Sequence, residues 1–177
     1  IDSKCASLGF GMATYYALKM QENGASKQEI IEAIQWHCDH MEHIFTVSTL
    51  EYLLKGGRLS KTSAIAGSLL DIKPIIEVND EGALRSIEKV RGRQKSLKRL
   101  IDMVGERGAD LTDQMIGIAH GDDAETMEAV KKQLSKSYGC KHFFINNVGC
   151  AIGAHTGPGI IGIIFLNAES PYKKYFN

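Results

Sequence analysis

Between Lys55 and Arg93 the chain reads KGGRLSKTSAIAGSLLDIKPIIEVNDEGALRSIEKVRGR, and its glycine and proline punctuation constrains the local structure strongly. Gly56 and Gly57 close a short helical run over residues 49–55, because glycine takes positive φ without steric cost. Ser60 predicts an N-cap for a helix over residues 61–70. Ser63, Ala64, Ala66, Gly67 and Ser68 keep that helix thin, which suits close backbone packing. Pro74 biases Lys73 toward extended backbone, and the β-branched Ile75, Ile76 and Val78 predict a strand. Asn79-Asp80-Glu81-Gly82 is a hairpin signal, with a return strand over residues 83–90. Arg58 directly follows the glycine pair, with Lys55 and Lys61 near it in sequence, so the turn presents positive charge on a rigid base. The alternative reading of Arg58 is a solvated turn arginine.

The rest of the chain reads in order. Ser7 predicts a cap for a helix running to about Glu22, with Leu8, Met12 and Tyr15 on one face. Asn23-Gly24 ends it. Ser26-x-x-Glu29 is a capping box that opens a helix reaching about His43. His37, His40 and His43 are each three apart, so on a helix they drift around the surface and do not converge on a metal. Residues 44–48 predict a short strand, and a domain boundary is placed there. Beyond the hairpin, Leu97, Leu100, Ile101 and Val104 recur at helical spacing, with Lys95, Lys98 and Arg99 on the other faces. Residues 115–119 predict a strand ending at His120-Gly121. Asp122 and Asp123 start a helix to about Ser137, where acidic residues suit the helix dipole. Residues 142–147 and 160–166 predict two further strands, the last apolar enough to be central. The polar tail, residues 169–177, is expected at the surface.

Composition excludes several classes. The 177 residues suffice for one domain with a good core. With 44% hydrophobic and 24% charged residues the chain is of ordinary globular type. Its formal net charge is zero, so no global field favours nucleic acid or an anionic membrane. No apolar run approaches the ~20 residues that a spanning helix needs, so no stable membrane insertion is expected. Cys5, Cys38, Cys140 and Cys150 have no metal-ligand spacing and read as reduced thiols of a cytoplasmic protein. The P-loop pattern GxxxxGK[ST] is missing, and no GxGxxG follows a clear strand and opens a helix. No cofactor site is expected, and the chain has the look of a carrier.

One histidine stands in a chemically suggestive setting. His155 lies in Gly153-Ala154-His155-Thr156-Gly157-Pro158-Gly159, just before an apolar strand. Glycines at 153, 157 and 159 allow a ligand to approach backbone closely, Thr156 adds a hydroxyl, and an imidazole donates well to a carboxylate. A histidine that merely holds a turn is the competing reading. His120, which also ends a strand before glycine, is the rival candidate. A general base at His155 in a small-molecule hydrolase or transferase would need a nucleophile or metal, and no triad motif is present.

The strings LKGGRLSKTSAIAGSLLDIKPIIEV and GALRSIEKVRGRQKSL, the opening IDSKCASLGFG and the closing GAHTGPGIIGIIF together resemble the DegV family, the fatty-acid-binding proteins of the bacterial fatty acid kinase system. These motifs span nearly the whole chain in the family's order. The resemblance implies an α/β fold: residues 1–43 as the remnant of an N-terminal parallel α/β lobe, then residues 44–177 as a two-layer α+β lobe with a mixed sheet. It implies that an N-terminal portion bearing the family's Thr-Ser and Ser-Ser-x-Leu-Ser-Gly-Thr carboxylate-binding segments is absent here. It assigns His155, with Thr156 and Gly157, to the network around an acyl carboxylate. It assigns Arg58, flanked by Lys55 and Lys61, to contact with a kinase. The implied function is to bind one long-chain fatty acid and present it to a separate kinase, which supplies ATP and metal and makes acyl phosphate for phospholipid synthesis. The alternatives are a related subunit that holds a carbonyl substrate through histidine, and an interaction module without ligand.

Overall fold

A computed structural model describes residues 1–58 and 71–176. The expected helix over residues 61–70, its cap Ser60 and the candidate Lys61 lie outside the described residues.

Most of the local signals that rest on capping and turn chemistry produce the elements they imply; Ser7 precedes the first helix, but its side chain makes no capping bond. Helix α1 covers Leu8–Glu22 and α2 covers Lys27–Asp39. The capping box at α2 is formed, with Ser26 Oγ accepting from the Glu29 amide and the Glu29 carboxylate accepting from the Ser26 amide. Strand β1, Met41–Thr46, follows at once, so His43 stands on a strand and not on the helix expected to reach it. His40 ends α2 because its ring bonds back to the Trp36 carbonyl, 2.8 Å away, and stacks on the Trp36 ring. Helix α3, Glu51–Lys55, leads into the glycine pair. Strands β2, Ile72–Val78, and β3, Leu84–Arg91, form the hairpin, with Asn79 Oδ1 accepting from the Ala83 amide across the turn. Helix α4, Arg93–Arg107, precedes β4, Met115–His120. Asp123 caps α5, Ala124–Tyr138, through a 3.3 Å bond from the Thr126 amide. Strand β5, His142–Asn147, helix α6, Cys150–Thr156, and strand β6, Ile161–Leu166, complete the order.

Among the described residues the six strands make one mixed sheet, ordered β3-β2-β1-β6-β4-β5. Only the β4–β5 pair is parallel; the other pairs are antiparallel. This is the expected α/β architecture with a mixed sheet, and the wholly apolar β6 is indeed central. Alternation along each strand divides the core. Ile44, Ile75, Ile116, Ile118, Ile161, Ile163 and Phe165 face α4 and α5. Each such side chain fully withdrawn from water contributes about 1.5–3 kcal/mol, which fixes strand register, since a slip of one residue would turn the set outward.

The opposite face carries α1 and α2 over β4, β5 and β6, with Leu8, Met12, Ala13 and Tyr16 inward. Tyr16, not Tyr15, is the buried tyrosine of α1. The tail departs from expectation. Tyr175 is buried against Met20 and Ala33, and its hydroxyl donates to Glu29. Three aromatic residues, Tyr172, Tyr175 and Phe176, bury more apolar area than the flanking lysines resist, so the segment docks. None of the described helices is long and apolar enough to cross a membrane.

Candidate functional site

On the α1 face, two small residues meet on neighbouring strands: Ala119 of β4 is paired with Gly162 of β6, and Gly162 with Phe45 of β1. A Cβ at Gly162 would sit 3.5 Å from that of Phe45 and 3.8 Å from that of Ala119, so the glycine leaves a furrow in the sheet. Isolated glycine inside a strand commonly marks such an approach site. Over this furrow opens a largely apolar cavity of about 620 Å³, a size typical of small-molecule sites, roughly 300–1,000 Å³. The start of α1, the β2–β3 hairpin, Leu53 of α3, and Ile152, His155 and Thr156 of α6 wall it.

His155 is placed by a helix that the glycine-rich sequence concealed. Residues 150–156 form α6, stopped at Gly157, whose φ of 72° ends the helix while its amide donates to the Gly153 carbonyl. The ring is half-buried on the cavity wall. Its Nδ1 is fully buried and finds no hydrogen-bond partner among the described residues. That nitrogen rests on Gly56: a Cβ there would lie 2.1 Å from it. The two motifs that the sequence presents as separate therefore touch. The glycine pair also divides its labour. Only Gly57 takes positive φ, at 67°, whereas Gly56 has an ordinary φ of −77° and is small because the imidazole covers it.

Thr156 is buried at the cavity, and its hydroxyl donates to the Ile152 carbonyl at 3.0 Å, so its proton is already engaged. Gly157 does not line the cavity; it makes room for the Tyr52 ring, which a Cβ would meet at 2.3 Å. The next turn is tied down by Arg93, which donates to the Gly159 carbonyl and pairs with Asp123 at 3.5 Å. Ser48 Oγ reaches the same carbonyl.

Arg58 is exposed at the rim of the same cavity, with Nη1 donating to the Gly56 carbonyl at 2.9 Å. Lys55 is exposed and ion-paired with Glu51 at 2.6 Å, so much of its charge is compensated. His120 is buried, accepts from the Asp123 amide through Nδ1 and stands outside the cavity wall, which fits a turn-holding role. His37 stacks on Tyr16, with ring centroids 4.3 Å apart, and bonds the Ala33 carbonyl. Among the described residues no group of three or more His, Cys, Asp or Glu could hold a metal ion. Sequence reasoning missed the Ala119–Gly162 furrow and His43, a further cavity residue; the lone glycine in IIGIIF was the available signal for the first.

A family model described as "Uncharacterised protein, DegV family" matches residues 1–168. A DegV domain-containing protein of Clostridium perfringens is 40% identical over 166 residues, covering 94% of this chain and 57% of the relative. A fatty acid binding DegV family protein from Streptococcus agalactiae superposes with a TM-score of 0.83 at 34% identity, covering 96% of this chain and 59% of that one. A DegV lipid binding protein from Thermotoga maritima gives a TM-score of 0.81 at 29% identity, with 94% and 58% covered. The chain thus spans somewhat over half the length of the proteins it matches.

Proposed function

This chain belongs to the DegV family, and on that premise we propose that it holds one long-chain fatty acid in the apolar cavity and presents the carboxylate to a separate kinase. The observation that carries this reading is a largely apolar cavity with the half-buried His155 ring on its wall. An imidazole on that wall offers a hydrogen-bonding group to a carboxylate. The alkyl tail would gain about 0.8 kcal/mol per buried CH₂. The Streptococcus agalactiae and Thermotoga maritima proteins, named for fatty acid and lipid binding, support the same ligand class. In this reading residues 1–43 belong to an N-terminal lobe and residues 44–177 form the C-terminal lobe. ATP and metal come with the kinase. Four free thiols suit the reducing cytoplasm.

Native mass spectrometry of the purified protein, followed by organic extraction, tests the proposal. A long-chain acid bound in one-to-one ratio is expected. A chain that stays empty after equilibration with such acids would refute it.

The role of Arg58 is tested separately. It is exposed at the rim, where a planar fork would steer an acidic partner and make association salt-sensitive. Arg58→Ala is expected to keep fatty acid retention while acyl phosphate formation by the kinase drops and its salt dependence flattens. Lost retention with kinase association preserved would move Arg58 from the partner face to the ligand.

A further inference from the structure

We infer that His43 is the stop for the acyl tail and therefore sets the chain length this cavity accepts. The inference rests on the fatty acid reading above. His43 and Phe45 point to the same face of β1, and the strand continues to Thr46, which pairs with Ile161 at the start of β6, shortly after α6 and His155. Phe45 lies opposite Gly162, where the furrow is open. One step further His43 lies opposite Ile164, and the furrow fills. The Met12 thioether closes the space beside it, for a Cβ at Gly117 would lie 2.7 Å from that sulfur.

Beyond His43 the surroundings change character. A second cavity of about 630 Å³ is lined by Glu42, Glu77, Arg85 and Arg107. His43 and Val78 line both cavities. The leading segment divides in the same way: Ser3, Lys4 and Cys5 face the polar cavity, whereas Ala6 and Ser7 face the apolar one. The imidazole is thus part of a partition. It is only 8% exposed, Nδ1 lies 3.2 Å from the Met41 carbonyl, and Nε2 has no partner among the described residues and is pressed on Gly9. A Cβ at residue 9 would lie 1.9 Å from that nitrogen, so the ring has no room to retreat toward α1.

The polar cavity is a poor continuation for an alkyl chain. Glu77 pairs with Arg107 at 3.0 Å and with Arg85, and Arg107 reaches Glu42 at 3.3 Å. Methylene groups placed there would displace the water around these charges and offer no hydrogen bond in return. A tail that reaches His43 ends there.

The test equilibrates the purified protein with an equimolar series of saturated acids of graded chain length and reads the retained distribution by native mass spectrometry. His43→Ala is expected to shift retention toward longer chains. Gly9→Ala, which drives the ring into the apolar cavity, is expected to shift it toward shorter ones. His43→Leu keeps the bulk and is expected to keep the distribution. If the alanine variant does not fold, His43→Val, β-branched like its strand neighbours and shorter than the imidazole, carries the same expectation. Unchanged distributions in variants that still retain fatty acid would overturn the inference and leave the ligand class standing. A wild-type protein that retains none of the series would overturn the ligand class itself.

Discussion

Acidification from about pH 7 to about pH 4 should cost this protein several kcal/mol of folding stability, read as a fall in the urea midpoint at constant m-value. Two histidines drive the expectation. His37 is fully buried against Tyr16. Burial pushes its pKa down to about 4, the Ala33 carbonyl opposes this, and neighbouring His40 adds to the fall. His43 is likewise pushed down to about 4 by burial, against smaller opposing pulls from the Met41 carbonyl and Glu42. An unfolded imidazole titrates near 6.5. The folded values lie below it, so the stabilising contribution is complete above about pH 6.5 and disappears as pH falls through about 4. At about 1.4 kcal/mol per pKa unit, each histidine contributes on the order of 3 kcal/mol at neutral pH. Glu77 extends the effect to lower pH: burial raises its pKa, but Arg107 and Arg85 outweigh this and hold the carboxyl below its usual range. Its contribution is lost as pH falls through that depressed value. His43→Leu should remove about half of the loss between neutral pH and pH 4. A wild-type profile that is flat over this interval would mean that neither imidazole is buried neutral.

Gly56→Ala should weaken fatty acid binding about tenfold to a hundredfold while leaving the fold intact. Gly56 has φ −77° and ψ −2°, which alanine adopts without strain, so the backbone contribution is neutral or stabilising by about 0.4–1 kcal/mol. The new methyl group would stand 2.1 Å from Nδ1 of His155, and the ring must swing away. The expected loss, on the order of 1.5–3 kcal/mol, is that of a hydrogen bond to a charged group. His155→Ala should lose a similar amount. The double variant should lose no more than either single one, since both remove the same interaction. Titration of a fluorescent fatty acid into the four proteins measures the cycle. Additive losses would show that residue 56 and His155 act independently, contrary to their contact.

What could be read from sequence was what local chemistry decides. The α2 capping box, the Asn79–Gly82 turn, the Asp123 cap and the β-branched strands each settle backbone within a few residues, and the structure contains them. The DegV resemblance was legible for the same reason, because its motifs are contiguous strings. Other features had no local signature. Helix α6 is seven residues long with a glycine inside, too short for an apolar period to appear. Strand β1 starts two residues after α2 ends, so Met41-Glu42-His43 reads as the last turn of the helix until the pairing with β6 is known, whereas residues 44–48 read as strand. Gly56 looked like a turn residue because glycine serves both positive φ and close approach, and only the position of His155 tells them apart. The furrow needs Ala119 and Gly162 side by side, which is a matter of β-sheet register. The sequence by itself determined most of the elements, their order and the family, since each follows from preferences acting over a turn or a strand. Only tertiary structure decided that the Gly-Gly-Arg turn and His155 meet at one cavity and that His43 stands between that cavity and the polar one, because residues far apart in sequence are brought together by burial of whole faces rather than by any pairwise signal.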